Sequence, residues 1–244
     1  MISVVTVCYN SKYELIKTIE SLRNQTSKDF EYVIVDGNSN DGTLEVIKTN
    51  SDIISSFISE KDNGIYDAMN KGISIVNGEY ILFLNSDDTL DDNFIEEIYN
   101  IITQYKPDFI YSSVTANFGK KLKTYIPPII DSSFKFDRMP FPHPGFIVKR
   151  ELYYSIGEFN IKYKYASDLD WMLKLLLDTS LIGIRNLKAK ANYTIGGVGN
   201  SLESLFESIK IFKKYNISKV TLAKMFLIGL IKLVYLKYFR ETKL

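Results

Sequence analysis

The sequence predicts an α/β fold: a mostly parallel sheet flanked by helices, with a C-terminal helical tail. Three observations carry this. Short apolar segments alternate with helical patterns from residue 2 to about residue 114. The short segments are apolar almost without interruption, which suits strands covered on both faces. The last stretch, residues 202–244, is basic and helical in pattern, with no strand-like segment.

The strand candidates are ISVVTV, FEYVIVD, IISSFIS, EYILFLN and DFIYSSV, short and rich in β-branched or aromatic residues. Between them, Leu15, Ile16, Ile19 and Leu22 repeat at helical spacing, as do Phe94, Ile95, Ile98, Ile101 and Ile102. Strand–helix alternation implies βαβ units. After residue 115 the rhythm changes. NFGKK (117–121) reads as a hairpin tip and Pro127 to Pro144 as irregular chain. GFIVK (145–149) reads as a strand, followed by a helix at 149–156 ended by Gly157. SDLDWMLKLLLD (167–178) is a strong helix pattern, and two short strands are expected around 181–195. The parse is one domain, residues 1–201, with a tail at 202–244.

Composition bounds the function. The 244 residues are 45% hydrophobic, enough for a sizeable core, and 30 basic residues against 29 acidic give net +1, so no overall charge argues for nucleic acid. The single cysteine, Cys8, excludes an intramolecular disulfide and a cysteine-based zinc cluster. MISVVTVCYN has no basic segment ahead of a long apolar run, so no signal peptide is expected. The tail holds nine Lys/Arg and three Glu, net +6. Its longest uncharged run, Met225 to Ile231, is far short of the ~20 residues a spanning helix needs. A basic apolar helix at 218–240 can lie in a membrane interface or pack on the domain with its lysines reaching outward.

Ligands of parallel α/β sheets bind beyond the carboxyl ends of the strands. Four successive strand candidates here end in polar clusters: Cys8-Tyr9-Asn10, Asp36–Thr43, Glu60–Gly64 and Asn85-Ser86-Asp87-Asp88. A single such cluster could be a turn; four on neighbouring strands argue for a shared binding rim. Neither glycine-rich phosphate fingerprint is present. Carboxylates at a sheet rim suit Mg²⁺ or Mn²⁺ with positions left open for phosphate oxygens. A second centre is ASDLDW (166–171), where Asp168 and Asp170 point in different directions on a helix. One could act as a general base toward a hydroxyl, while Ser167 or Asp168 could instead cap the helix. His143 lies between two prolines in FPHPGF, as a loop residue of structural or functional use.

Taken together, VVTVCYN, VIVDGNSNDGT, SEKDNGIYDAMNKGI, GEYILFLNSDD, HPGFIVKRELY, ASDLDW and GGVGNS resemble the family-2 glycosyltransferases of the GT-A (Rossmann-like) fold, of the bacterial surface-polysaccharide type. The resemblance covers about residues 1–201. It implies inverting transfer of a hexosyl or N-acetylhexosaminyl unit from a nucleotide-sugar, a UDP-sugar for preference, to a hydroxyl of a glycan or lipid-linked acceptor. It implies that Thr6, Tyr9 and Asp36 line the nucleoside pocket and that Asp62 and Asn70 lie near nucleotide and donor sugar. Asn85-Ser86-Asp87 then occupies the Asp-x-Asp motif, with Asn85 and Ser86 toward the ribose and Asp87, with Asp88 beside it, holding Mg²⁺ or Mn²⁺. Asp168 becomes the catalytic base, His143 and Gly145 lie near acceptor or diphosphate, and Gly196-Gly197 forms a loop closing over the donor. The location implied is the cytoplasm, peripheral on the inner face of the membrane through the tail.

Three departures from the family pattern stand out: Asn85 for the usual first aspartate, Ser167 for the glutamate of a Glu-Asp pair, and no C-terminal histidine. The first and third support an alternative, a nucleotide-sugar-binding protein without activity. A phosphatase of the haloacid dehalogenase type is a further alternative from FLNSDDTL, although Asn85 stands where its nucleophilic aspartate would be.

Overall fold

The computed structural model describes residues 1–117, 121–131, 134, 139–194 and 201–241. The runs ISVVTV, FEYVIVD and EYILFLN become the centre of a sheet and are buried on both faces, whereas the strand in IISSFIS is partly exposed. β1 (Ile2–Cys8) lies between β2 (Phe30–Asp36) and β4 (Tyr80–Phe83), parallel to both, and β3 (Ser56–Ser59) extends the sheet beyond β2. Alternate side chains serve opposite layers. Val4, Ile34 and Leu82 pack with Leu15, Ile19 and Leu22 of α1 (Lys12–Arg23), Ile47 of α2 (Thr43–Thr49), and Phe94 and Ile98 of α4 (Phe94–Tyr105). Val5, Val35 and Phe83 pack with Met69 and Ile73 of α3 (Ile65–Ile75), Tyr153 of α5 (Arg150–Ser155), and Trp171 of α6 (Ser167–Leu177). Gly72 lets α3 approach the sheet, since a Cβ there would lie 2.6 Å from Val5 Cγ1.

The sheet is mixed. Its order is β3-β2-β1-β4-β8-β6-β9-β5, with β7 (Leu122–Tyr125) paired to β6 (Phe109–Asn117). β1, β2, β3, β4, β6 and β9 (Gly183–Thr194) run one way, whereas β8 (Phe146–Lys149) runs antiparallel between β4 and β6. β5 (Thr89–Leu90), not anticipated from sequence, is two residues antiparallel to β9. The two strands expected near 181–195 are one. β9 follows β6 across a bulge, where Asn186 pairs with Ser112 and Lys190 with Ser113. Asn186 fills the bulge by donating to Ser112 Oγ at 3.2 Å and to Ala189 O at 3.3 Å. That polar interruption reads as a gap between two strands.

Two helices follow, α7 (Leu202–Lys214) and α8 (Lys219–Glu241). Ser201 Oγ caps α7 by accepting from Ser204 N at 3.0 Å. Ile211 and Phe212 bury against Ala166, Leu169 and Leu173. α8 folds back on α7, with Phe226 5.5 Å from Phe206 and Gly229 against Leu205.

The lower end of the sheet is tied by Glu31 on β2. It accepts hydrogen bonds from Ser3 on β1, from Gly78 N at 2.8 Å, and from the backbone and side-chain nitrogens of Asn77. Burial pushes this carboxyl up, but the donors from Ser3, Gly78 and Asn77 outweigh burial and leave it below the ordinary range. A carboxylate with a depressed folded-state pKa stabilises the fold above its unfolded value, about 4.3, and loses that contribution as pH falls through the folded value. Glu31→Gln is therefore expected to be less stable than wild type at pH 6–7. In urea unfolding series the gap should shrink below about pH 4.3; a gap independent of pH would contradict the assignment.

Candidate active site

Because β1, β2, β3 and β4 are parallel, their carboxyl ends share one edge, and the polar clusters gather there. Cys8 pairs with Asp36 and Asp36 with Ser59. Asp36 is fully buried. Its carboxylate accepts from Ser59 Oγ at 2.6 Å, Ser39 N at 3.1 Å and Ser39 Oγ. Burial first, then the neighbouring Asp36 charge, raise the Cys8 thiol far above its ordinary range, so it stays protonated. Thr6 is also buried, its hydroxyl donating to Leu84 O at 2.7 Å and accepting from Tyr32 at 3.1 Å. It ties β1 to the end of β4.

Above this floor Tyr9 is 62% exposed. Gly37 lies between the Tyr9 ring and Asp62: a Cβ there would be 2.6 Å from Asp62 Oδ2 and 3.3 Å from the ring. Asp62 Oδ1 accepts from Gly64 N at 2.9 Å. Tyr9 and Asp62 thus close in on Gly37, leaving an exposed aromatic ring beside a carboxylate at the sheet rim.

The end of β4 turns sharply. Asp87 has φ +78°, in the left-handed region. Thr18 of α1 holds the turn by donating to Asp88 O at 2.9 Å, and Lys17 Nζ meets Asp87 Oδ1 at 2.6 Å. The two adjacent acids differ. Asp88 is buried, and desolvation followed by the Asp87 charge pushes it up to about 8, so it is largely neutral at pH 7. Asp87 keeps a partly exposed carboxylate. Asn85 Oδ1 is buried with no hydrogen-bond partner. Among the described residues no three His, Cys, Asp or Glu side chains form a metal cluster. The turn nevertheless fits a cation of the Mg²⁺ or Mn²⁺ type, which needs only one or two protein carboxylates when phosphate oxygens and water complete its shell. Lys17 is no obstacle, since an exposed ion pair of this kind contributes roughly 0–1 kcal/mol.

Asp168 lies in the first turn of α6. Its Oδ1 accepts from Tyr66 Oη and from Leu169 N, both at 2.9 Å, and its Oδ2 lies 3.9 Å from His143 Nδ1. The N-cap residue is Ala166, which has no capping side chain, so Ser167 and Asp168 lie inside the helix, where Asp168 meets the first-turn N–H of Leu169. Instead Glu207 of α7 accepts from Lys164 N, Tyr165 N and Ala166 N at 2.9, 2.6 and 2.8 Å, bracing the loop that leads into the helix. His143 begins a 3-10 turn (His143–Gly145) ahead of β8. Gly145 lets this turn press on β6, since a Cβ would lie 2.9 Å from Ser112 O. His143 is largely buried, with both ring nitrogens out of reach of solvent; it stacks on Phe83 at 5.8 Å and has no hydrogen bond at either nitrogen among the described residues. Burial lowers its pKa, opposed by the Asp168 charge, so the ring is neutral near pH 7.

Phe83 joins the two centres. It ends β4, two residues before Asn85, and its ring carries His143, which faces Asp168. The Asp87 turn and the Asp168 cluster therefore share the same end of the sheet. Two further candidates are engaged by neighbouring residues. Asn70 is bonded both ways to the Phe159 backbone, Nδ2 to O at 2.9 Å and N to Oδ1 at 3.0 Å, fixing the wall behind His143. Asp170, 1% exposed, binds Lys214 Nζ at 2.7 Å, Lys174 Nζ at 3.3 Å and Tyr215 Oη at 3.1 Å, and so fastens α6 to α7. Gly196 and Gly197 lie outside the described residues. Tyr66, Lys17 and Glu207 were not singled out by sequence. For Tyr66 a signal existed: it stands four residues before Asn70 on α3, and such residues share a helix face.

The profile of "Glycosyl transferase family 2" matches residues 3–163. A "PGL/p-HBAD biosynthesis glycosyltransferase" of Mycobacterium tuberculosis is 28% identical over 219 residues, covering 83% of this chain and 80% of that protein. A "Cholesterol galactosyltransferase" of Borreliella burgdorferi is 30% identical over 131 residues, 52% of this chain and 37% of that one. Among solved structures, S. aureus TarS superposes with TM-score 0.72 at 18% identity over 94% of this chain, which spans less than half (42%) of TarS. A Pyrobaculum calidifontis mannosyltransferase "in complex with GDP-Man and Mn2+" superposes with TM-score 0.68 at 14% identity, over 95% of this chain and 69% of that one. The family profile, the named relatives and the shared architecture agree: the chain belongs to glycosyl transferase family 2 and is a glycosyltransferase of GT-A fold.

Proposed function

We propose that the enzyme transfers a sugar, with inversion, from a nucleotide-sugar donor to a hydroxyl of a glycan or lipid-linked acceptor, with residues 1–201 as the transferase unit. The observation that carries this reading is the placement of a carboxylate with one uncommitted oxygen, Asp168, at the same sheet end as the Asp87 turn. A UDP-sugar is the favoured donor class. TarS has been solved "in complex with UDP-GlcNAc", and the exposed Tyr9 ring beside the Asp62 carboxylate offers a stacking face and an acceptor to a pyrimidine ring. Asp36 anchors the loop after β2 beside them through Ser39, and Asn85 and Ser86 would meet the ribose hydroxyls.

Asp87 would hold Mg²⁺ or Mn²⁺, which supplies positive charge opposite the donor diphosphate. The chain's own residues do the rest. Lys17, released from Asp87, stays beside the turn as a second cation. Asp168 takes the proton of the acceptor hydroxyl as that oxygen bonds to the anomeric carbon and the bond to the diphosphate breaks. Neutral His143 offers no cation to compete for Asp168.

The tail supports peripheral membrane attachment at the cytoplasmic face. Among the described residues no helix is long and apolar enough to cross a membrane. Yet Leu227, Ile228, Ile231 and Val234 are exposed along one side of α8, and the tail carries net +6. One face of α8 packs on α7 while the other is free to enter a lipid interface.

A panel of UDP-, GDP- and dTDP-sugars, assayed for nucleotide release with and without EDTA, should single out one donor. Release from none would contradict the reading. With that donor, Asp168→Asn should lower turnover by roughly 10²–10⁴ while leaving UDP affinity nearly intact. Asp87→Ala should abolish the dependence of UDP binding on Mn²⁺ in calorimetry, whereas retained dependence would remove Asp87 from the metal. In flotation, the full chain should rise with anionic vesicles and an Ile228→Glu, Ile231→Glu double variant should not; equal flotation of both would detach α8 from that role.

A further inference from the structure

Resting on the assignment of Asp168 as the base, the geometry points to Tyr66 as a positioning residue that selects which oxygen of Asp168 does the chemistry. The Asp168 carboxylate is asymmetric. Oδ1 receives two donors, the Tyr66 phenol and the Leu169 amide, each at 2.9 Å. Oδ2 receives none among the described residues: its near neighbour is His143 Nδ1 at 3.9 Å, beyond hydrogen-bond reach. An acceptor hydroxyl approaching the rim therefore finds Oδ2 as the uncommitted lone-pair site, and its proton goes there as its oxygen bonds to the anomeric carbon. A donor to a carboxylate stabilises its charged state, so loss of the Tyr66 hydroxyl is expected to ease protonation of the base.

The phenol is built to remain a donor. It stands in the first turn of α3, is buried, and packs on Phe159 with ring centroids 5.6 Å apart. Burial first, then the Asp168 charge, hold its pKa well above the ordinary value, so the proton stays on oxygen throughout the working pH range. The other groups facing the pair are accounted for. From the 3-10 turn comes neutral His143; from α7 comes Glu207, engaged with three backbone N–H groups; and on α6 itself Asp170 turns away to Lys174, Lys214 and Tyr215. Among the described residues, Tyr66 is the side chain that donates a hydrogen bond to the carboxylate.

The test uses the full chain and the donor released fastest in the panel above, with turnover measured from pH 5 to 9 for wild type, Tyr66→Phe and Asp168→Asn. Tyr66→Phe keeps the ring against Phe159 and removes only the hydroxyl, and its thermal midpoint is recorded alongside. Turnover should fall roughly tenfold, well short of the 10²–10⁴ for loss of the base itself. The acid limb of the profile should move to higher pH while the donor KM stays within about twofold, a combination that a packing defect does not produce. An acid limb superimposed on that of wild type would overturn the inference, and with Asp168→Asn inactive the base assignment would stand. Turnover by Asp168→Asn at the wild-type rate would overturn both.

Discussion

The parallel pairing of β2, β1 and β4 is the constraint on which the rest depends. Each strand is covered on both faces, so its middle can hold only apolar side chains, and polar residues are tolerated where it leaves the sheet. Because the three strands run the same way, those exits coincide, and the apolar run Tyr80–Leu84 ending in Asn85-Ser86-Asp87-Asp88 is explained by it. β8, running the other way beside β4, then delivers His143 to the same edge from the opposite chain direction.

Adjacent acids at that edge are kept chemically distinct by burial. Asp88 is desolvated next to a charge and is largely neutral at pH 7, whereas Asp87 is partly exposed and paired with Lys17. The same division recurs on α6. Asp168 faces the rim with one oxygen unspent, whereas Asp170, two residues on, is consumed by Lys174, Lys214 and Tyr215. The tail helix α7 takes part in both. Its Lys214 engages Asp170 and its Glu207 holds the backbone that leads to Asp168, so the tail braces the loop before α6 as well as carrying an exposed apolar face.

Much of this was legible in the sequence because continuous apolar runs and 3.6-residue repeats report burial directly. β1, β2, β4 and the helix at 167 fall where those patterns place them. Strand direction was less legible. FIVK is a four-residue apolar run, and nothing in such a run says whether it pairs parallel or antiparallel. The bulge at Asn186 looked like a break because a polar residue inside a strand gives the same signal as a loop. At the site, motifs gave residue types but not the partners of each side chain. Thr6 and Asn70 spend their polar groups on neighbouring backbone, and the Tyr66–Asp168 bond joins residues 102 positions apart, a pairing that local pattern does not encode. Asp168 and Asp170 could be told to diverge from helix geometry, but which one met the rim depended on where α7 packed.

The central claim is that cation-holding Asp87 and proton-accepting Asp168 open onto one crevice that holds the donor. Anomalous diffraction from crystals of the full chain grown with UDP and Mn²⁺ tests it most directly. The account predicts a manganese peak bridging the Asp87 carboxylate and the diphosphate, the uracil ring against Tyr9, and Asp168 facing the vacant sugar position across the cleft. Manganese bound away from Asp87, or UDP seated where Asp168 cannot face it, would contradict it.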